Sequence, residues 1–152
     1  MLTLGVRAPD FELKTSQGYV HKLSDYKAKT VVLYFYPKDD TPGCTKEACN
    51  FSENIKLFQA KNAVIIGVSA DDEESHEKFR KKYNLPFTLV SDPEKKILKE
   101  YGVWQEKSMY GKKYMGIART TFIIDKTRVI RRIFEKVKPE NHWAEVLEVI
   151  KK

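Results

Sequence analysis

Residues 30–50 read TVVLYFYPKDDTPGCTKEACN, and the change of pattern inside this stretch decides the fold. Val31 to Tyr36 is an unbroken apolar run that stops at Pro37, which predicts a strand buried on both faces. Turn-forming residues follow through Gly43. Apolar positions then recur at Cys44, Ala48, Phe51, Ile55 and Phe58, at spacings of four, three, four and three, which is one stripe of an α-helix. The stretch is therefore strand, loop and helix, with Cys44 in the first helical turn and the helix running to about Lys61-Asn62. Unpartnered backbone N–H groups and the positive end of the helix dipole gather at such a turn, and both favour a thiolate over a thiol. Position alone leaves a second reading open, a small buried cysteine on the apolar stripe.

Working outward, Phe11, Leu13, Val20 and Leu23 surround the turn signal Ser16-Gln17-Gly18, which predicts an N-terminal hairpin. Ser24 to Lys29 is a polar connector. Beyond the motif helix, Ala63 to Ser69 is a β-branched strand, and Asp71-Asp72 cap a helix that runs to about Tyr83. Phe87 to Val90 is a short strand. Asp92-Pro93 has the form of a helix cap followed by proline in the first turn, with Gly102 just past the helix end. Val103 to Gly116 reads as a loop or irregular hairpin. Thr120–Asp125 and Val129–Phe134 are two strands joined tightly enough to be antiparallel neighbours. Trp143, Val146, Leu147 and Ile150 give a C-terminal helix, starting near Pro139, its apolar face.

Early alternation of strands and helices implies parallel strands, and the closing strand pair makes the sheet mixed. The expected class is α/β, a central mixed sheet flanked by helices with an N-terminal β-hairpin extension. A site at the carboxyl end of a central strand, where Pro37 to Cys44 falls, follows the general rule for such sheets.

Pro37, Thr41 and Cys44 form Pro-x-x-x-Thr-x-x-Cys, with Cys49 five residues further on. In this motif, and in its order of elements over nearly the whole chain, the sequence resembles the peroxiredoxins, most closely the branch called peroxiredoxin Q or bacterioferritin comigratory protein. The resemblance implies a thioredoxin-like fold over residues 1–152 as a single domain. It implies a thiol-dependent peroxidase acting on hydrogen peroxide and organic hydroperoxides, recycled by a thioredoxin-like reductant. Cys44 would be the peroxidatic nucleophile and Cys49 the resolving thiol, with no metal or other cofactor.

The chemistry sets requirements that the sequence can be searched for. Lowering a thiol pKa from about 8.5 to about 6 raises the thiolate population at neutral pH roughly 30-fold, which is small beside enzymatic accelerations of 10⁶ or more. Most of the catalysis must lie in stabilising the charge that builds on the leaving oxygen. Thr41 can supply a hydroxyl, Gly43 and Cys44 backbone N–H groups, and Pro37 the loop's exit from the strand. Each also has an ordinary role, as helix cap, hinge or turn residue. The fixed cation is assigned to Arg119, just before the buried-looking strand Thr120–Asp125, where it matches the peroxiredoxin arginine; a guanidinium stays charged and presents several fixed donors. Lys38 and Lys46 are nearer in sequence but flexible. Asp39 and Asp40 are expected to point outward, since a carboxylate beside Cys44 would raise its pKa. Glu47 is divided between a bond within the motif loop and an exposed helix face. Tyr34, Phe35, Tyr36, Trp104 and Trp143 are read as core or rim.

A span of five residues on a helix means about 7.5 Å of rise and about 140° of rotation, beyond the usual Cα span of a disulfide, roughly 4.4 to 6.8 Å. A Cys44–Cys49 bond therefore requires the first helical turns to unwind. The alternative is a structural Cys49 with an external thiol as resolver.

Composition narrows the remaining classes. The 41% hydrophobic and 12% aromatic content of the 152 residues argues against disorder. The segment MLTLGVRAPD has no apolar core of signal-peptide length and no apolar run approaches a membrane span, so a soluble cytoplasmic protein is expected, taken as a monomer with a dimer left open. His21, His76 and His142 fall in separate segments, without the local spacing of a zinc site. The net charge of +7 raises nucleic acid as a partner, but basic pairs interleaved with acidic residues read as a solvated surface. Two other classes remain: a thiol-disulfide oxidoreductase, which would ordinarily carry Cys-x-x-Cys, and a basic binding module or redox-regulated chaperone.

Overall fold

The computed structural model describes residues 2–15, 19–26 and 28–150. The N-terminal hairpin pairs β1 (Glu12–Lys14) with β2 (Val20–Lys22) in antiparallel register; its expected turn at Ser16-Gln17-Gly18 lies outside the described residues. A 3₁₀ turn over Leu23–Tyr26 leads into β3 (Thr30–Phe35), the central strand. Then follow α1 (Pro42–Glu53), α2 (Ile55–Gln59), β4 (Ala63–Ser69), α3 (Glu73–Lys82), β5 (Thr88–Ser91) and α4 (Lys96–Glu100). The chain closes with β6 (Trp104–Met109), β7 (Lys112–Ile117), β8 (Thr120–Ile124), β9 (Ile130–Phe134) and α5 (His142–Ile150).

The main sheet has the order β5-β4-β3-β8-β9, parallel through β5, β4 and β3 and antiparallel through β8 and β9. This is the mixed sheet expected. Strand β3 is central because its residues are apolar on both faces. Val31, Leu33 and Phe35 join one core with Ile66, Val68, Phe122 and Ile124. Val32, Tyr34 and Tyr36 join the other, against α1, α3 and α5.

Four local expectations need correction. The stripe Cys44, Ala48, Phe51, Ile55, Phe58 spans two helices: Asn54, at φ −108°, ψ 13°, interrupts the ladder while its side-chain N–H₂ donates to the Asn50 carbonyl at 2.8 Å. The helix expected at Asp92-Pro93 begins only at Lys96, after a left-handed Lys95 (φ 63°). The Asp92 carboxylate caps it from a distance, accepting the backbone N–H groups of Lys96 (3.1 Å) and Leu98 (2.9 Å). Residues 103–116, taken for a loop or irregular hairpin, form the regular β6–β7 ribbon. Tyr110 (φ 51°) and Gly111 (φ 78°) make its two-residue turn, with the positive φ pair that matches strand twist. The C-terminal helix starts at His142, three residues beyond Pro139.

Candidate active site

The head of α1 is built by local rules. Thr41 is extended (φ −98°, ψ 156°) and starts the ladder through its carbonyl, which accepts the Thr45 N–H at 2.8 Å. Pro42 occupies the first turn, where a missing N–H costs nothing. The N–H groups of Gly43 and Cys44 precede the first helical acceptor and have no partner within the helix. Pro37 is half-buried at the carboxyl end of β3.

Cys44 is almost fully buried. Its sulfur accepts from Arg119 Nη2 at 3.4 Å, and Arg119 Nη1 donates to Glu47 Oε1 at 2.9 Å. The arginine thus bridges two side chains that stand one helical turn apart on α1, although 75 residues separate it from the cysteine. Antiparallel pairing of β8 with β3 brings it there, and the Val137 N–H bonded to the Arg119 carbonyl at 3.1 Å fixes its backbone. Gly43 makes room for the guanidinium: a Cβ at this position would stand 3.2 Å from Arg119 Nη2 and 3.4 Å from Pro139 Cγ.

Glu47 was not assigned from sequence, and the structure resolves it as buried and paired rather than surface-exposed. Burial pushes its carboxyl up to about 7, against the lowering effect of Arg119. Burial acts to lower the Arg119 pKa, but the charges of Cys44 and Glu47 outweigh it and the pKa is raised. Glu47 Oε2 and the Tyr34 hydroxyl are buried with no hydrogen-bond partner among the described residues. Lys107 of β6 also belongs to this surrounding; burial and the Arg119 charge lower its pKa, and Cys44 acts in the opposite direction. Only the helical spacing of Glu47 from Cys44 hinted at its place.

Two expectations about the loop change. Thr41 does not cap α1 with its side chain; its hydroxyl donates to the Lys38 carbonyl at 2.8 Å, leaving oxygen lone pairs for an incoming O–H. Asp39 does not point outward. It is buried, accepting the Tyr36 hydroxyl at 2.6 Å and the Ser75 hydroxyl at 2.8 Å, with His76 Nδ1 at 2.7 Å. Asp40 does face solvent, tied to Lys82 Nζ and the Tyr83 hydroxyl, each at 2.8 Å.

Cys49 is a half-buried free thiol on the same unbroken helix as Cys44. Burial, then the Glu53 charge, raise its pKa. It lines an open groove with Asp40, Thr41, Pro42, Thr45, Lys46 and Tyr83. Among the described residues, Asp39, Asp71 and His76 have potential metal-ligand atoms within 4.8 Å of one another. Those atoms are already engaged by protein groups, Asp71 Oδ2 by the Asp39 N–H and the Ser69 hydroxyl. In sum, the structure brings Cys44, Arg119 and Glu47 into contact and places Thr41 and Pro37 on the loop before them, with Cys49 further along the helix.

The chain is similar to known proteins of one family. Residues 4–133 match the AhpC/TSA family. The chain is 51% identical over 150 residues to peroxiredoxin Bcp of Bacillus subtilis, covering 99% of this chain and 96% of that protein. It is 42% identical over 147 residues to chloroplastic peroxiredoxin Q of Oryza sativa subsp. japonica, covering 96% of this chain and 65% of that one. Among solved structures, a cysteine-to-serine mutant of Xylella fastidiosa PrxQ superposes with a TM-score of 0.94 at 37% identity, over 99% of this chain and 96% of that chain. The Xanthomonas campestris bacterioferritin comigratory protein, studied for alkyl peroxide reduction, superposes with a TM-score of 0.89 at 37% identity, over 93% and 90%.

Proposed function

The chain belongs to the AhpC/TSA family as a thioredoxin-like peroxiredoxin of the Bcp and PrxQ branch, and from this premise we propose that Cys44 is the sulfur that attacks peroxide. The protein is a thiol peroxidase; what is proposed is which residues do the work and in what order. The observation that carries the assignment is the Arg119 guanidinium 3.4 Å from the Cys44 sulfur at the head of α1.

The Cys44 thiolate attacks one oxygen of a hydroperoxide, and an S–O bond forms as the O–O bond breaks. The departing oxygen takes a proton and leaves as water or an alcohol, with Cys44 left as a sulfenic acid. Arg119 and the N–H groups of Gly43 and Cys44 stabilise the negative charge on the separating oxygens, because they are in place before it develops. Thr41 accepts a hydrogen bond from the substrate O–H and so aims it. Pro37 fixes the loop where it leaves β3. Glu47 holds Arg119 by one nitrogen and leaves the other for the sulfur.

Cys49 then attacks the Cys44 sulfur, water leaves and a disulfide forms. Since both thiols sit on one helix, the first turns of α1 open before this step. A thioredoxin-like dithiol supplies two electrons and two protons to restore both thiols. The same proposal takes residues 1–152 as one domain that works as a cytoplasmic monomer on hydrogen peroxide and organic hydroperoxides, without metal, membrane or nucleic acid. No helix among the described residues is long and apolar enough to cross a membrane.

Mass spectrometry after one equivalent of hydrogen peroxide should find a Cys44–Cys49 bond within one chain, and Cys44→Ser should reduce peroxide consumption to background. Retained activity in Cys44→Ser would end the assignment. A bond between chains would remove the single-chain cycle.

A further inference from the structure

We propose that His76 is a positioning residue for the Cys44 reaction, acting through Asp39 to hold the loop that presents the head of α1. His76 is fully buried, and both ring nitrogens face acceptors: Nδ1 lies 2.7 Å from Asp39 Oδ2, and Nε2 lies 3.1 Å from the Val90 carbonyl. A carbonyl cannot donate, and the Asp39 carboxylate already receives the Tyr36 and Ser75 hydroxyls. Nε2 therefore donates to the Val90 carbonyl, while Nδ1 shares a hydrogen bond with Asp39, the Tyr36 hydroxyl standing 3.3 Å from the same nitrogen.

The pair holds the loop from several sides. Asp39 is gripped through its side chain by Tyr36, the residue just past β3, and by α3 (Ser75, His76), and its N–H donates to Asp71 at 2.8 Å. The following residue, Asp40, has φ +56°, the left-handed region, which aspartate enters more readily than most residues with a side chain. Thr41 comes next, and its extended backbone sets the direction of the Gly43 and Cys44 N–H groups. Val90 belongs to β5, so the chain of contacts runs from the sheet through His76 and Asp39 to the helix head. Loss of the His76 contact would leave a buried carboxyl group short of a hydrogen-bond partner. Asp39 would then move toward water and take the loop with it.

The inference rests on the peroxidase reading above. Asn at position 76 puts an amide N–H where Nδ1–H stood, and Gln puts one where Nε2–H stood; both discard the ring. His76→Asn should keep the rate of sulfenic acid formation within about threefold of wild type, and His76→Gln should lose on the order of tenfold, with similar falls in Tm. Asp39→Asn combined with His76→Gln should lose no more than His76→Gln alone, because both cut one link. Equal rates in the two His76 variants, or any order other than Gln below Asn, would overturn the proposal. Independently of whether the variants fold, ¹⁵N NMR of the wild-type protein should show His76 Nε2 protonated and hydrogen-bonded; a bare Nε2 would also overturn it. Failure of the wild-type protein to form sulfenic acid would instead sink the peroxidase reading.

Discussion

The two faces of the main sheet share one strand and have different chemistry. Val31, Leu33 and Phe35 look into a core of hydrocarbon and aromatic side chains closed by Ile97, Leu98 and Tyr101, where the Tyr101 hydroxyl donates to the Pro9 carbonyl at 2.6 Å. Val32, Tyr34 and Tyr36 look the other way, toward helices that bury Cys44, Glu47, His76 and His142. On that second side the buried carboxyl groups and histidines are paired: Glu47 with Arg119, His76 with Asp39, and His142 with Thr121 and Glu145. Burying a charge is costly unless a partner is supplied. One face of β3 supplies cohesion and the other carries the buried ionisable groups, with a strand alternation of two residues keeping them apart.

The separation can be broken from either side. Arg119→Ala should slow the reaction with hydrogen peroxide by about 10² to 10³ in stopped-flow measurements, and should lower Tm as well, because Glu47 is left buried without its partner. Arg119→Lys should recover only part of the rate, because one ammonium cannot serve Cys44 and Glu47 as a planar fork does. On the opposite face, Leu33→Ala should cost about 2–5 kcal/mol of stability in chemical denaturation. The rate per folded molecule should stay within about twofold. Loss of rate in the folded Leu33→Ala protein would show that the faces are not independent.

Glu47 sharpens the comparison through pH. Its carboxyl is raised to about 7 in the folded protein, so between roughly pH 4.5, its ordinary value, and 7 the unfolded chain releases a proton that the folded chain keeps. Stability is therefore fully present below that window and declines as pH rises through it. Glu47→Gln cannot titrate, so relative to wild type it should gain stability from pH 4.5 to 7.5, by up to about 3 kcal/mol. Denaturation curves at the two pH values check the sign. The smallest effect is expected for Gly43→Ala, whose added methyl meets Arg119 Nη2 at 3.2 Å. A shift of a few tenths of an ångström in the guanidinium should cost about threefold in rate and leave Tm nearly unchanged.

The parts of this molecule that sequence made legible are those governed by near neighbours. The apolar run into Pro37, the stripe from Cys44 to Phe58, and the Asp72 cap on α3, which accepts the Ser75 N–H at 2.8 Å, all follow from interactions a few residues apart. Local reading went wrong where two local patterns competed. Asp92-Pro93 has the form of a helix start, but the left-handed Lys95 delays the helix and the buried carboxylate reaches forward to it. In β6 and β7 the charged residues on exposed faces hid the strand alternation, and Tyr110-Gly111 lacked the familiar asparagine-glycine turn signal.

By itself the sequence determined the order of the main-sheet strands along the chain, the mixed sheet and the placing of a cysteine in the first turn of a helix after a central strand, because periodicity and turn chemistry act over one or two turns of chain. Through its resemblance to a family it also pointed to Arg119 beside Cys44, but not to Glu47 as the arginine's second partner. Only the tertiary structure decided that Glu47 is buried against Arg119 and that Asp39 turns inward to His76. A carboxylate has no fixed preference for water or interior until a distant partner is brought to it, and those partners lie 72 and 37 residues away along the chain.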